Sequence, residues 1–418
     1  MIVAPPLRLG MIFTVDPGDV GAISGLPYAA ARALERRGVV VVPLEAATAD
    51  PPATGVRRRL KGLLPAWVHE WPAQLRSRRD GCVFHPALQA AARIADRIAT
   101  IDREAPLDAL VGMCVSVPLA FLETELPIVY ASDATARIIL ETYPKYARRC
   151  AAYRRECDEC ERRALAKASR IALASDRAVR SAVEDYGARA ERVHLVPLGC
   201  HVFPDPRLED ATDPPTRDRT TLLIVASDPE RKRIGLAIEM VELLRRRGIG
   251  AELVHIGARH RLLDARSVRS FVRSLGPLRL SDPQDRAAHV AAIRAAHLSI
   301  LPSSGEAFGI APAESALAGR PAIVSDAGGL PTVVADGETG VVLPVAADAS
   351  AWADAVERLV DDPELYRRLG AHAKARAWRE FTWDAWAERV ESLARAAVAE
   401  RIASRPAAPE SLRARASA

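Results

Sequence analysis

Short apolar bursts alternate with amphipathic stretches along most of the chain, and the alternation restarts once, past its midpoint. That rhythm constrains the fold. A strand covered on both faces reads as a continuous apolar run, and the crossover returning the chain to a parallel neighbour reads with helical period. In the first half the strand candidates are Leu9–Thr14, Val39–Pro43, Ala109–Gly112, Ile128–Ala131, Arg170–Ala174 and Val193–Val196. Helical pattern falls between them, as in Tyr28–Arg37, closed by Gly38, and in Tyr146–Ala168. The second half repeats the pattern with Leu222–Val225, Glu252–Ile256, Leu298–Leu301, Ala322–Val324 and Val341–Leu343.

Between Gly199 and Asp218 the chain is rich in Pro and Asp and has no period, as an interdomain linker would be. A length of 418 residues also exceeds one ordinary core. The expected organisation is a first Rossmann-like domain over 1–200, a linker over 201–217 and a second Rossmann-like domain over 218–380. A terminal helical segment over 381–402 and a disordered tail over 403–418 follow. Two doubly wound sheets joined in this way leave a cleft between them, and ligands of such sheets lie beyond the carboxyl ends of the strands.

Composition narrows the function classes. A net charge of +5 does not demand a nucleic-acid partner, and none is expected, yet it suits a site holding a diphosphate. The longest apolar stretch, Ala109–Leu122, has 14 residues and contains Pro118, short of the roughly 18–20 that cross a bilayer. No basic region precedes a long apolar stretch at the N-terminus, so no secretion signal is expected and the cytoplasm is the expected location. The six cysteines do not make a disulfide scaffold. Cys157 and Cys160 form a C-x-x-C that reads either as helix packing or as a metal or redox pair. The segment Gly55–Arg79, with seven basic residues, Trp67 and Trp71, reads as a solvated amphipathic region or as a weak peripheral membrane contact. Only five of the 58 basic residues are lysines, a bias expected of a GC-rich bacterial genome that makes each lysine conspicuous.

The most informative stretch is Leu301–Pro344. A strand ends at Pro302, Ser303-Ser304-Gly305 turn the chain, and a helix begins near Ala311 with Pro312 in its first turn, where a missing N–H costs nothing. Gly319 fits the residue after the helix and Pro321 blocks its continuation. The backbone N–H groups of Ala307, Phe308, Gly309 and Ile310 are then presented at a helix N-terminus, a ready anion site. Glu306 and Glu314 bracket it. Carboxylates beside a phosphate cradle suit a ligand with hydroxyls at both ends. Alternatively, Glu306 is a solvated loop charge and Glu314 answers the helix dipole.

Two further loops follow strand candidates. After Val225 come Arg231, Lys232 and Arg233, which either solvate a turn or oppose an anion. After the first strand, Asp16–Pro27 contains three glycines that do not make G-x-G-x-x-G, so a dinucleotide site is poorly supported. After Ala131 comes Ser132-Asp133-Ala134-Thr135, in which Asp133 either caps the next helix or faces the cleft.

Glu306-Ala-Phe-Gly-Ile-Ala-Pro-Ala-Glu314, followed by Ala318–Pro331 and Asp336–Gly340, resembles the Glu-x7-Glu segment and sequel of family-4 retaining glycosyltransferases. The resemblance is good over the second half of the chain and patchy but correctly ordered over the first. It implies the GT-B fold, two Rossmann-like domains facing a cleft, with Phe381–Trp386 and its helix crossing back to the first domain. By the same resemblance Glu306 contacts the donor sugar, Glu314 the ribose, and Arg231 with Lys232 the diphosphate. Ser24 and Gly25 belong to a loop facing donor phosphate and acceptor, and Asp133 lies near sugar or acceptor. Two positions depart from the pattern: Thr332 stands where the family has Glu, away from the expected ligand, and Arg233 stands where it has Gly.

The activity so implied is metal-independent, retaining transfer of a hexose-type sugar from a nucleotide-diphosphate sugar to a small-molecule, glycan or lipid acceptor. The donor is a substrate, and no cofactor is expected. A GT-B nucleotide-sugar epimerase and a non-catalytic nucleotide-sugar-binding subunit are the alternatives.

Overall fold

The computed structural model describes residues 6–19, 22–46, 83–202, 205, 208, 213–265, 268 and 270–404. Gly55–Arg79 lies outside them, as does the chain from 405 onward. The first domain holds β1 (Arg8–Phe13), β2 (Val40–Glu45), β3 (Ala109–Met113), β4 (Ile128–Ser132), β5 (Arg170–Leu173) and β6 (Val193–Leu195). They form one sheet in the order β2-β1-β3-β4-β5-β6, every neighbouring pair parallel. The second domain holds β7 (Thr220–Ala226), β8 (Ala251–Gly257), β9 (Val272–Ser274), β10 (Leu298–Leu301), β11 (Ala322–Ser325) and β12 (Gly340–Leu343). Its order is β12-β11-β10-β7-β8-β9, again parallel throughout. This is the two-domain α/β architecture of GT-B proteins.

Each sheet is wound in both directions from a central strand. The winding reverses between β1 and β3 in the first sheet and between β7 and β10 in the second. Neighbouring loops diverge there to opposite faces and leave a crevice, the place where such sheets take ligands.

Strand positions agree with the apolar bursts to within one or two residues, apart from one missed strand. β9 has only three residues, two of them exposed, so it carries no apolar run to read. The helix expected over Tyr146–Ala168 is interrupted. A short helix, Pro144–Ala147, is followed by a break at which Cys150 caps the helix Ala151–Lys167, its sulfur accepting from the Tyr153 N–H. The expected linker is not free chain where it is described: Val202 and Leu208 are fully buried in the core.

The last helix, Trp383–Ser404, runs two residues into the segment expected to be disordered. It lies on the first domain, where Glu391 pairs with Arg37 at 2.7 Å, Asp384 with Arg36 at 2.7 Å, and Glu400 with Arg170. Gly199 passes Trp383 so closely that a Cβ would stand 2.4 Å from the Trp383 nitrogen, and the Cys200 N–H donates to the Phe381 carbonyl at 2.9 Å. The two crossings between domains therefore touch each other.

Candidate active site

The reversal in the second sheet pairs β10 with β7, Leu298 opposite Leu222, so the loops leaving these strands are adjacent. They are also bonded together. The Arg231 carbonyl accepts from the Ser304 N–H at 2.9 Å and from the Ser304 hydroxyl at 3.1 Å. Arg231 and Lys232 thus meet Glu306. Arg231 Nη1 lies 2.7 Å and Lys232 Nζ 3.5 Å from the same oxygen, Glu306 Oε1. All three residues are less than one-tenth exposed. Burial works against the Arg231 charge, but Glu306, Tyr143 and Asp228 outweigh it and hold the guanidinium more firmly protonated than usual. Arg231 Nε makes no hydrogen bond within the protein, its carboxylate neighbour Asp228 being 3.5 Å away.

The loop geometry expected of glycine after Lys232 is present without glycine. Arg233 has φ 51° and ψ 52°, left-handed values that only a glycine reaches without strain. Its guanidinium donates to the Val345 carbonyl, which ties the strained turn to the loop beyond β12.

Glycines shape the loop between β10 and the next helix. Gly309, at φ 119°, precedes the helix Ile310–Leu317, and a Cβ there would meet Leu330 at 2.7 Å. Gly328, at φ 56°, lies so close to the Glu306 carbonyl that a Cβ would overlap it at 1.8 Å. The Gly-Gly-Leu-Pro segment therefore braces the backbone of Glu306 from behind. Ala307, Phe308, Gly309 and Ile310 all line the cleft, whose volume is about 2340 Å³.

Glu314 projects from the same helix and is buried. Oε2 lies 3.0 Å from His289 Nε2, and Oε1 accepts from the His201 N–H at 3.2 Å. Burial alone would raise its pKa, but the His289 and His201 contacts win and hold it below the usual carboxylate range. Sequence reading missed both histidines, because one sits in the linker and the other on the helix Pro283–Ala295.

The first domain supplies the opposite wall. Asp133, the residue after β4, is half-buried and lines the cleft, while Thr135 occupies the N-cap of the next helix, Ala136–Thr142. Burial, the Asp133 and Ala134 N–H groups and the Cys114 thiol act on its carboxyl, Glu306 adds repulsion, and the net result is a raised pKa. Gly25 lines the cleft at the start of the helix Leu26–Arg36, with φ 75°. Ser24 lies in the preceding turn, and its side chain is outside the described residues. Thr332, the departure from the resembled pattern, joins the two domains: its hydroxyl accepts from the Asp176 N–H at 3.0 Å and donates to Asp176 Oδ2 at 2.9 Å. Tyr143, which the sequence did not single out, also lines the cleft, with Arg231 over its ring at 4.8 Å.

Cys160 is buried in the helix Ala151–Lys167 and its thiol is pushed up to about 12 by burial. No group of three His, Cys, Asp or Glu side chains among the described residues is arranged to hold a metal ion. No helix among them is long and apolar enough to cross a membrane.

Residues 209–376 match the family described as glycosyl transferases group 1. The D-inositol 3-phosphate glycosyltransferase of Corynebacterium diphtheriae is 39% identical over 126 residues, which is 29% of each chain. The chain thus covers less than a third of the length of the first such relatives. The enzyme of that name from Xylanimonas cellulosilytica is 28% identical over 409 residues, 88% of this chain and 89% of the relative. Among solved structures, sucrose-phosphate synthase from Thermosynechococcus elongatus superposes with a TM-score of 0.66 at 17% identity, covering 94% of this chain and 100% of the other. The Anabaena protein HepE, solved with UDP and glucose, gives 0.59 at 14% identity, covering 93% and 100%.

Proposed function

With a second domain matching the group 1 glycosyl transferases, we propose that this chain is a family-4 type, retaining glycosyltransferase using a nucleotide-diphosphate sugar. One observation carries the reading. At the reversal of the second sheet, two buried cations and one carboxylate converge beside a helix N-terminus, with a second buried carboxylate, Glu314, further along that helix. The cations and the N–H groups of 307–310 take the diphosphate, and Glu314 takes the ribose. Glu306 turns from the cations to the hexose hydroxyls as phosphate replaces it.

In the proposed reaction the bond from the anomeric carbon to the phosphate oxygen breaks, and its electron pair leaves on the diphosphate. Arg231 and Lys232 oppose the charge that grows there, so no metal is required. The acceptor oxygen bonds to the anomeric carbon on the same face, and its proton passes to the departing phosphate oxygen. Asp133 orients the acceptor from the first domain. The acceptor is a small polyol, glycan or lipid hydroxyl, and the expected location is the cytoplasm.

A thermal-shift screen of UDP-, GDP-, ADP- and dTDP-sugars tests the donor, since ligand at 100 times its Kd adds about 2.7 kcal/mol. Product analysis by NMR, with and without EDTA, then decides the chemistry. A glycoside of retained configuration formed in EDTA supports the proposal. An epimerised sugar without a glycoside, or binding without turnover, would replace it with one of the two alternatives.

A further inference from the structure

The anion loop is gripped by the domain that does not carry it. Thr142 of the first domain stands against Gly305, where a Cβ would meet its methyl group at 2.5 Å. The Ser175 hydroxyl donates to the Ala307 carbonyl at 3.3 Å, and Ala307 packs within the first domain's core. Next to these contacts the Tyr143 ring lies against the Arg231 guanidinium, 4.8 Å from ring centre to Cζ. Its hydroxyl feels the charges of Glu306, Asp133 and Arg231 and a hydrogen bond from the Ala307 backbone, and burial with the two carboxylates drives its pKa far up, so the phenol stays neutral.

Arg231 has a difficulty that this ring resolves. Its Nη1 pairs with Glu306 and donates to the Gly305 carbonyl and, at 3.4 Å, to the Ser303 hydroxyl; these bonds anchor one end of the guanidinium, but the pair with Glu306 must loosen if Glu306 is to reach a sugar. An aromatic face holds a guanidinium by its plane, leaves the in-plane N–H groups free, and does not compete with phosphate for them. We propose that Tyr143 is a positioning residue for transfer, a first-domain side chain that keeps Arg231 aimed at the leaving diphosphate once Glu306 has turned away. The donor site is then complete only when the two domains meet at Tyr143. This inference rests on the donor reading above.

The test compares Tyr143→Phe and Tyr143→Leu with the wild-type full-length chain. Calorimetry with UDP, GDP, ADP and dTDP selects the nucleotide that wild type binds, and hydrolysis of the matching nucleotide sugar supplies kcat and KM. Tyr143→Leu is expected to lower kcat about tenfold or more, from the loss of a desolvated cation–π contact. Its KM and nucleotide Kd should stay within about threefold, because Glu314 and the helix N-terminus still hold the nucleotide. Tyr143→Phe keeps the ring and should restore kcat to within about threefold of wild type. An unchanged kcat in Tyr143→Leu, or equal loss in both variants, overturns the positioning role. If wild type binds none of the four nucleotides, the donor reading itself falls and takes this inference with it. Thermal midpoints of the variants identify a folding defect. Should Tyr143→Leu be unfolded, Tyr143→His decides, since it keeps an aromatic face and must then retain more turnover than Tyr143→Ser.

Discussion

His289 Nε2 and Glu314 Oε2 face each other at 3.0 Å, both residues buried, and the other Glu314 oxygen accepts the N–H of His201 in the chain linking the domains. The carboxylate proposed to hold the ribose is thus held on the protein side first. Arg286, one turn before His289, completes the arrangement by donating to the His201 carbonyl at 2.7 Å.

Glu314→Gln should weaken binding of the free nucleoside diphosphate by about 1.5–3 kcal/mol, the range for a charge-assisted bond. Unaltered binding by calorimetry would leave Glu314 only its contacts to His289 and His201. The stability effect has a definite sign. The folded carboxyl lies below its unfolded value, so its contribution is present above that value, roughly pH 4.3, and fades as pH falls toward the folded pKa. Urea titrations of wild type and Glu314→Gln should therefore converge in acid.

Glu306→Ala should separate binding from chemistry. The free nucleoside diphosphate has no hexose and gains two cations no longer neutralised by the carboxylate, so its affinity should hold or tighten. Donor turnover should fall about 100-fold, the scale set by a misplacement of about 1 Å at a reacting centre. Glu306 is also buried against Arg231 and Lys232, so its loss leaves unpaired buried charge and should lower stability by about 3–5 kcal/mol. Parallel loss of nucleotide affinity and turnover would mean that Glu306 merely shapes the loop.

Lys232→Ala removes a charge proposed to face the leaving group. Its ammonium also donates to the Val225 carbonyl at 3.0 Å, a single contact near the carboxyl end of β7 that the fold can lose. Turnover should drop about 100–1,000-fold with the thermal midpoint nearly unchanged. Wild-type turnover in this variant would remove the diphosphate from the Arg231–Lys232 loop.

At Arg233 the comparison is between Gly and Ala. Both substitutions lose the bond to Val345, but only Gly is at ease at φ 51°. Arg233→Gly should be about 1 kcal/mol more stable than Arg233→Ala in urea denaturation. Equal stabilities would mean that the turn relaxes out of the left-handed region.

Glu161 carries a pH dependence of opposite sign. Burial pushes its carboxyl up to about 7 despite hydrogen bonds from Ser116 and Tyr130, whose hydroxyl is 3.1 Å away. The folded state then holds the proton more tightly than the unfolded chain, so stability falls as pH rises from about 4.3 to the folded pKa. Glu161→Gln should be less stable than wild type by little at pH 5 and more stable by about 1–3 kcal/mol at pH 8. Parallel pH profiles would show that Glu161 titrates normally.

The alternation of buried strands with helical crossovers, and the glycines that close helices, depend on residues near one another in the chain. They could be read from sequence because each strand reports its own burial and each turn its own backbone need. The loop and helix after β10 were legible for the same reason: Gly309, the helix beginning at Ile310 and the stop at Gly319 are local. Even there, Glu306 reads from sequence as a carboxylate facing ligand hydroxyls or as a solvated loop charge, whereas the fold buries it against two cations from a loop 74 and 75 residues earlier. No local pattern could show that, because the pairing of β7 with β10 brings the loops together. His289 beneath Glu314, Thr332 bonded to Asp176, and Tyr143 under Arg231 likewise join segments whose own sequences carry no sign of each other. Local burial and backbone demand are written residue by residue, whereas electrostatic partners are chosen by which loops the sheet order and the meeting of the domains place side by side.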